Sequence, residues 1–133
     1  MVWNSLIGEG LLAYGYREQA ADLVGRLMSG LILSLKNDAA FRRSYHAEQG
    51  SGSGEWNILS GLAPLGLFLE TLGVQLFSPW KVLVQGNNPF PWPVTVKYRG
   101  ITVVRQEKQT VVTFPDGQSA LVAGPGPRLV SLA

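Results

Sequence analysis

The sequence predicts an α+β fold in which a helical half precedes a β half, and two observations predict it. Apolar residues recur at three- and four-residue steps up to about residue 72, and from residue 74 onward they alternate. The order of the halves, helices first and strands after, separates α+β from an alternating arrangement around a parallel sheet. The expected organisation is a helical segment over residues 1–73, a hairpin of two helices plus a third and kinked one, then a small antiparallel sheet or sandwich over 74–133.

In the first helix Trp3, Leu6, Ile7, Leu11 and Tyr14 form one stripe, and Gly15 ends the segment. A second helix fits residues 18–35, with Ala20, Leu23, Val24, Leu27, Met28, Leu31, Ile32 and Leu35 on its apolar face. The link around Gly15-Tyr16-Arg17 is short, which predicts an antiparallel helical hairpin. Asn37-Asp38 stops the second helix, and the run from Gln49 to Gly54 is too rich in glycine to predict regular structure. Helical spacing resumes over residues 56–72, where Pro64 is expected to kink the segment or split it in two.

Strands are predicted at residues 80–84, 94–99, 101–105, 110–114, 119–123 and 128–132. Gly100, the stretch from Gln106 to Gln109 and Pro115-Asp116-Gly117 supply the turns between them. The proline-stiffened run from Asn87 to Pro93 connects two of the strands.

At 133 residues, 46% apolar and 15% charged, the chain is too hydrophobic to be disordered. It has no cysteine, which excludes disulfides, thiolate-held metals and a cysteine nucleophile, and its single histidine, His46, rules out a multi-histidine metal cluster. No cofactor and no metal are expected. Residues 1–72 hold five Lys/Arg against seven Asp/Glu, whereas residues 73–133 hold six against two. The basic excess is scattered over Lys81, Lys97, Arg99, Arg105, Lys108 and Arg128, unlike the clustered charge of a nucleic-acid surface, so no nucleic-acid partner is expected.

The longest uncharged run of the helical half, residues 56–69, is broken by Gly61, Pro64 and Gly66 and falls short of the roughly 20 apolar residues a bilayer requires. The N-terminus lacks a basic region, and Asn4, Glu9 and Gly10 interrupt any signal-like run. A cytoplasmic chain without a membrane partner is the expectation. The second and third helices are apolar over wide arcs, as in Leu31-Ile32-Leu33 and from Leu65 to Leu69. Helices of that kind line the inside of something larger, so a homo-oligomer or a missing partner region is expected.

The run Val2-Trp3-Asn4-Ser5-Leu6-Ile7-Gly8-Glu9-Gly10-Leu11-Leu12-Ala13-Tyr14-Gly15-Tyr16-Arg17-Glu18-Gln19-Ala20 resembles a late helical hairpin of bacterial (α/α)6-toroid glycoside hydrolases. These are the family 63 and mannosylglycerate-hydrolase-like enzymes, relatives of trehalases. The loop Phe41-Arg42-Arg43-Ser44-Tyr45-His46-Ala47-Glu48-Gln49-Gly50-Ser51-Gly52-Ser53-Gly54 resembles the glycine-rich loop that follows in that group. The likeness covers about residues 2–72, and some members carry a β-domain after the toroid.

The resemblance implies an inverting hydrolysis of an α-glycosidic bond by two carboxyl groups roughly 6.5–9.5 Å apart. In the family the general acid comes from an earlier helical hairpin, which this sequence does not contain. The family's base follows the Phe of the loop, where this sequence has Arg43 instead. Glu48 and Glu55, which border the glycine loop, are the candidate catalytic carboxylates, and solvated loop charges are the plainer reading of both. Trp3, Tyr45, His46 and Trp56 are the candidate substrate-binding residues. The tryptophans would stack on sugar rings or serve as packing anchors, and His46 would meet a sugar hydroxyl or simply face solvent.

Phe90, Trp80 and Trp92 could make a sugar platform, against packing around the proline-rich connection. The glycine loop is not a phosphate-cradling one, because no Lys-Ser/Thr follows it. Two functions are thus expected: the C-terminal part of a glycosidase, inactive alone, or a non-catalytic assembly or carbohydrate-binding module.

Overall fold

The computed structural model describes residues 1–132; Ala133, the end of the expected β-region, lies outside the described residues. Two compact units are present, Met1–Phe68 and Leu69–Ala133. The α+β class holds: three α-helices accompany antiparallel sheets among the described residues.

In the first unit, α1 (Val2–Ala13) and α2 (Arg17–Asp38) pack against each other across the expected short link. The link is closed by the Tyr16 N–H, which donates to the Leu11 carbonyl at 2.8 Å. α2 runs three residues beyond its expected end at Leu35. It stops at Ala39, which takes the left-handed conformation at φ 51° and donates its N–H to the Leu35 carbonyl. Ser34, buried on α2, donates its hydroxyl to the Ala40 carbonyl at 2.9 Å and holds the departing chain against the helix. The buried side of α2 is Ala20, Val24, Gly30, Leu31 and Ser34, a helix-spaced stripe.

The segment after α2 departs from expectation. Instead of irregular loop, β1 (Arg42–Tyr45) and β2 (Gly52–Trp56) form an antiparallel hairpin, with Arg42 opposite Trp56 and Tyr45 opposite Gly52. Side-chain propensity for strand is poor here, but ladder hydrogen bonds need only backbone. Packing also favours the hairpin: a Cβ at Gly30 would stand 3.3 Å from the Gly50 carbonyl oxygen and 3.5 Å from the Tyr45 ring. The absence of that carbon lets the hairpin lie close to α2. Its open end is tied by Asn57, whose N–H donates to the Phe41 carbonyl at 2.8 Å and whose Oδ1 accepts the Phe41 N–H at 3.0 Å.

Trp56 therefore ends a strand and does not start a helix, which corrects the expected helix over 56–72. One 3-10 turn (Leu59–Gly61) precedes Pro64, and α3 (Leu65–Leu72) follows it. Pro64 opens the helix without kinking it, since a proline at a helix start forgoes an N–H that has no intrahelical partner there.

The second unit holds two antiparallel sheets. The strands β3 (Val74–Ser78), β4 (Lys81–Val84) and β9 (Arg128–Ser131) form a three-stranded sheet in the order β3-β4-β9. The strands β5 (Val94–Tyr98), β6 (Ile101–Arg105), β7 (Gln109–Thr113) and β8 (Ser119–Ala123) form a four-stranded meander in chain order. Alternation is clear on β6, where Ile101, Val103 and Arg105 are buried and Thr102 and Val104 are less so. Val82, Val84, Ile101, Val103 and Val112 are fully covered and supply much of the core. Each such side chain contributes roughly 1.5–3 kcal/mol on burial.

β3 was not expected, because it follows α3 with only Gly73 between them. Gly73 sits at φ 75°, and a Cβ there would collide with the Gln85 carbonyl oxygen. The Gln85 N–H donates to the Gly73 carbonyl at 2.9 Å, so the glycine makes an immediate helix-to-strand reversal possible.

Candidate functional site

The β1–β2 hairpin carries five of the six candidate residues, and Trp3 is the sixth. Trp3 stands on α1, 78% exposed, and makes no ring stacking or hydrogen bond with the others. Its nearest companions on the same helix face are Leu6 and Ile7, both exposed.

Tyr45 is half-buried at the end of β1. Its ring approaches Gly30 of α2, and its hydroxyl accepts the Arg42 N–H at 2.9 Å and donates to the Gly61 carbonyl at 3.4 Å. The side chain thereby ties the hairpin both to α2 and to the 3-10 turn, which is a positioning role. His46 opens the turn between the strands. Its Nδ1 accepts the N–H groups of Glu48 and Gln49, each at 3.4 Å, while backbone bonds His46–Ser51 and Gly50–His46 close the same turn. Accepting at Nδ1 puts the proton of the neutral ring on Nε2, the nitrogen left to meet a ligand.

Glu48 lies at the hairpin tip with its carboxylate in solvent and in no ion pair among the described residues. Glu55 lies on β2 near the opposite end and is held by Arg43: Nη1 donates to Oε1 at 2.9 Å and to Oε2 at 3.3 Å. The Glu55 carboxyl is held below the usual glutamate range. A backbone N–H donating to it is the first cause and the Arg43 charge the second; desolvation opposes them, and the Arg43 hydrogen bond adds a lesser lowering.

Strand rise separates Glu55 from the turn by on the order of 10 Å along the hairpin. The two candidate carboxylates thus sit at opposite ends of one hairpin and are not drawn into a common cleft. Glu55 remains ionised at neutral pH, which suits a base or an electrostatic partner and excludes it as a general acid.

Trp56, more than half exposed, receives the Arg42 guanidinium 4.3 Å from its ring centroid. Nε of Arg42 is 3.9 Å from Asp38 Oδ2. Nε and Nη1 of Arg42 are buried and have no hydrogen-bond partner. The composition of the segment did not disclose Arg42, Arg43 and Asp38 as members of this cluster, because the cross-strand pairs Arg42–Trp56 and Arg43–Glu55 exist only once the hairpin forms.

In the second unit Phe90 is buried and stacks on the exposed Trp92 at 6.0 Å. Asn88 organises that connection, donating to the Trp92 and Arg105 carbonyls and accepting the Phe90 N–H. Arg105, among the scattered cations, is 3% exposed and bonded inward, so it contributes nothing to a basic surface. Among the described residues no His, Asp and Glu side chains gather in a group able to hold a metal ion, and no helix is long and apolar enough to cross a membrane.

No family model, curated protein or solved structure matches the chain.

Proposed function

We propose that this chain is the C-terminal portion of an inverting glycoside hydrolase of the (α/α)6-toroid kind, acting on an α-glycosidic bond and inactive by itself. One observation carries the reading: the first unit leaves a broad apolar surface in water. Val2, Trp3, Leu6 and Ile7 share one exposed face of α1, Trp3 at 78% exposure. Contiguous apolar surface of this kind marks an interaction site. The remaining helices of a ring would cover it, as the resemblance of residues 2–72 implies. Where they are absent, the same face drives self-association into a homo-oligomer.

The hairpin supports the inactive half of the proposal. Inverting hydrolysis takes an acid and a base on opposite sides of the sugar. Here Glu55 is engaged by Arg43, and Glu48 stands alone at the tip with His46 beside it. Glu48 is then the carboxylate free to act as base, the acid coming from the missing region, with Tyr45 and His46 shaping the wall and Trp3 and Trp56 offering aromatic faces.

Aryl α-glucosides and α-mannosides incubated with the purified chain test the proposal. No hydrolysis is expected. Hydrolysis that Glu48→Gln abolishes would overturn the fragment reading in favour of a self-sufficient enzyme. A second reading, a carbohydrate-binding module without catalysis, draws on the exposure of Trp56. Tryptophan fluorescence that is unchanged by oligosaccharides up to millimolar concentration removes it.

A further inference from the structure

β8 and β9 are joined by only four residues, 124–127, yet they do not pair with each other. β8 is the last strand of the four-stranded sheet and β9 the last of the three-stranded one. Between them lies an open cleft of about 520 Å³, lined by residues 120–123 and 128–131. That volume is within the range of ligand sites.

Turn hydrogen bonds establish which backbone groups each edge leaves free. The Phe114 N–H donates to the Gln118 carbonyl at 2.8 Å, and the Gly124 N–H to the Lys108 carbonyl at 3.5 Å. Bonded pairs recur at every second residue of an antiparallel ladder, so Ala120 and Val122 face β7. Ser119, Leu121 and Ala123 therefore direct their N–H and C=O groups away from the sheet. On β9 the Leu132 N–H donates to the Trp80 carbonyl at 3.0 Å, which assigns Val130 to the ladder with β4 and leaves Leu129 and Ser131 directed outward. All five outward residues are exposed, Leu121 at 65%.

An edge strand is normally blunted by a charge, a proline or a bulge. β8, Ser-Ala-Leu-Val-Ala, has none of these, and its pairing with β7 is regular throughout. The surrounding charge selects the occupant. With Arg105 buried, the second unit exposes five Lys/Arg against three Asp/Glu, so a second copy of it would meet like charge. Arg128, on the cleft wall, forms no ion pair among the described residues.

We propose that this cleft receives an extended acidic peptide strand, added along the free edge of β8. Its alternate apolar side chains lie over Leu121 and Leu129, and its carboxylates lie near Arg128. Main-chain hydrogen bonds supply the affinity and the alternate side chains the selectivity.

Titrating the full chain, isotope-labelled for amide NMR, with the blocked peptide Glu-Val-Thr-Val-Glu-Val-Thr tests this. Saturable shifts confined to residues 119–123 and 128–131 are expected. A peptide with Lys for Glu should bind about fivefold more weakly. A backbone N-methylated one should lose more than about tenfold, because several hydrogen bonds go. Leu121→Pro removes an outward N–H while sparing the bonds to β7, and should weaken binding with the other amide positions unchanged. Should that variant fail to fold, Arg128→Glu serves, reversing the preference between the acidic and basic peptides. Absence of shifts at millimolar peptide overturns the proposal, as does equal binding of the N-methylated peptide. Concentration-dependent broadening of the β8 amides without peptide also overturns it, since a second copy would then own the edge.

Discussion

Arg43 and Glu55 face each other across the β1–β2 hairpin, one guanidinium nitrogen reaching both carboxylate oxygens at 2.9 and 3.3 Å. The pair occupies a place where the resemblance to toroid glycosidases would put a catalytic base at Arg43, and it converts the neighbouring glutamate into a partner for that cation. Both side chains are well exposed, so the pair orients the strands more than it stabilises them.

The Glu55 carboxyl should titrate below the ordinary glutamate range, because the backbone N–H, and after it the Arg43 charge, favour the ionised form. A depressed folded-state value means that its contribution is present above the ordinary glutamate range and is lost as the pH falls through the folded value. Carbon-detected NMR of the Glu55 side-chain carboxyl checks the direction. Arg43→Ala should return Glu55 toward the ordinary value, though not all the way, since the backbone hydrogen bond remains.

Arg105 is the main polar tie inside the second unit. Its Nε donates to the Leu72 carbonyl, Nη1 to Thr110 Oγ1, and Nη2 to the Gln85 and Gly86 carbonyls, at 2.8–3.1 Å. Arg105→Met should destabilise the unit by about 3 kcal/mol or more, because it strands several buried acceptors. Arg105→Lys should recover only a small part, since an ammonium cannot span the planar fork. Urea unfolding followed by tryptophan fluorescence reads both, and equal stability of Arg105→Met and the parent would refute this role.

Gly73→Ala should cost about 3 kcal/mol, combining a left-handed backbone with a Cβ driven into the Gln85 carbonyl. Gly10→Ala is the control: its added carbon meets nothing nearby, so replacement inside α1 should raise stability by about 0.5–1 kcal/mol. Thermal melts of the two variants should move in opposite directions.

Charging the exposed face of α1 should change association and leave folding intact. The double variant Trp3→Glu with Leu6→Glu is expected to convert an oligomer at low micromolar concentration into a monomer and to reduce binding of an apolar dye. Light scattering decides. A parent chain that is already monomeric at that concentration would count against the uncovered-face argument.

The division between helix and strand was readable in the linear order of residues. The 3.6-residue and two-residue periods come from burial of one face, and that pressure is written at each position: the helix stripes of Ala20, Val24 and Leu31, and the alternation of Ile101, Val103 and Arg105. Turn chemistry at Gly100 and Pro115-Asp116-Gly117 likewise located the meander, and β6 and β8 fall on the expected residues. Folding in three dimensions decided the rest. A strand of Gly-Ser-Gly-Glu-Trp has no period to detect, and it exists because β1 offers a ladder and Gly30 lets it approach α2. The partners of Glu55 and Trp56 followed from that pairing. So did the exit of β9 from the meander to β4, a long-range choice that no local pattern specifies, because strand pairing spends its hydrogen bonds between segments far apart in the chain.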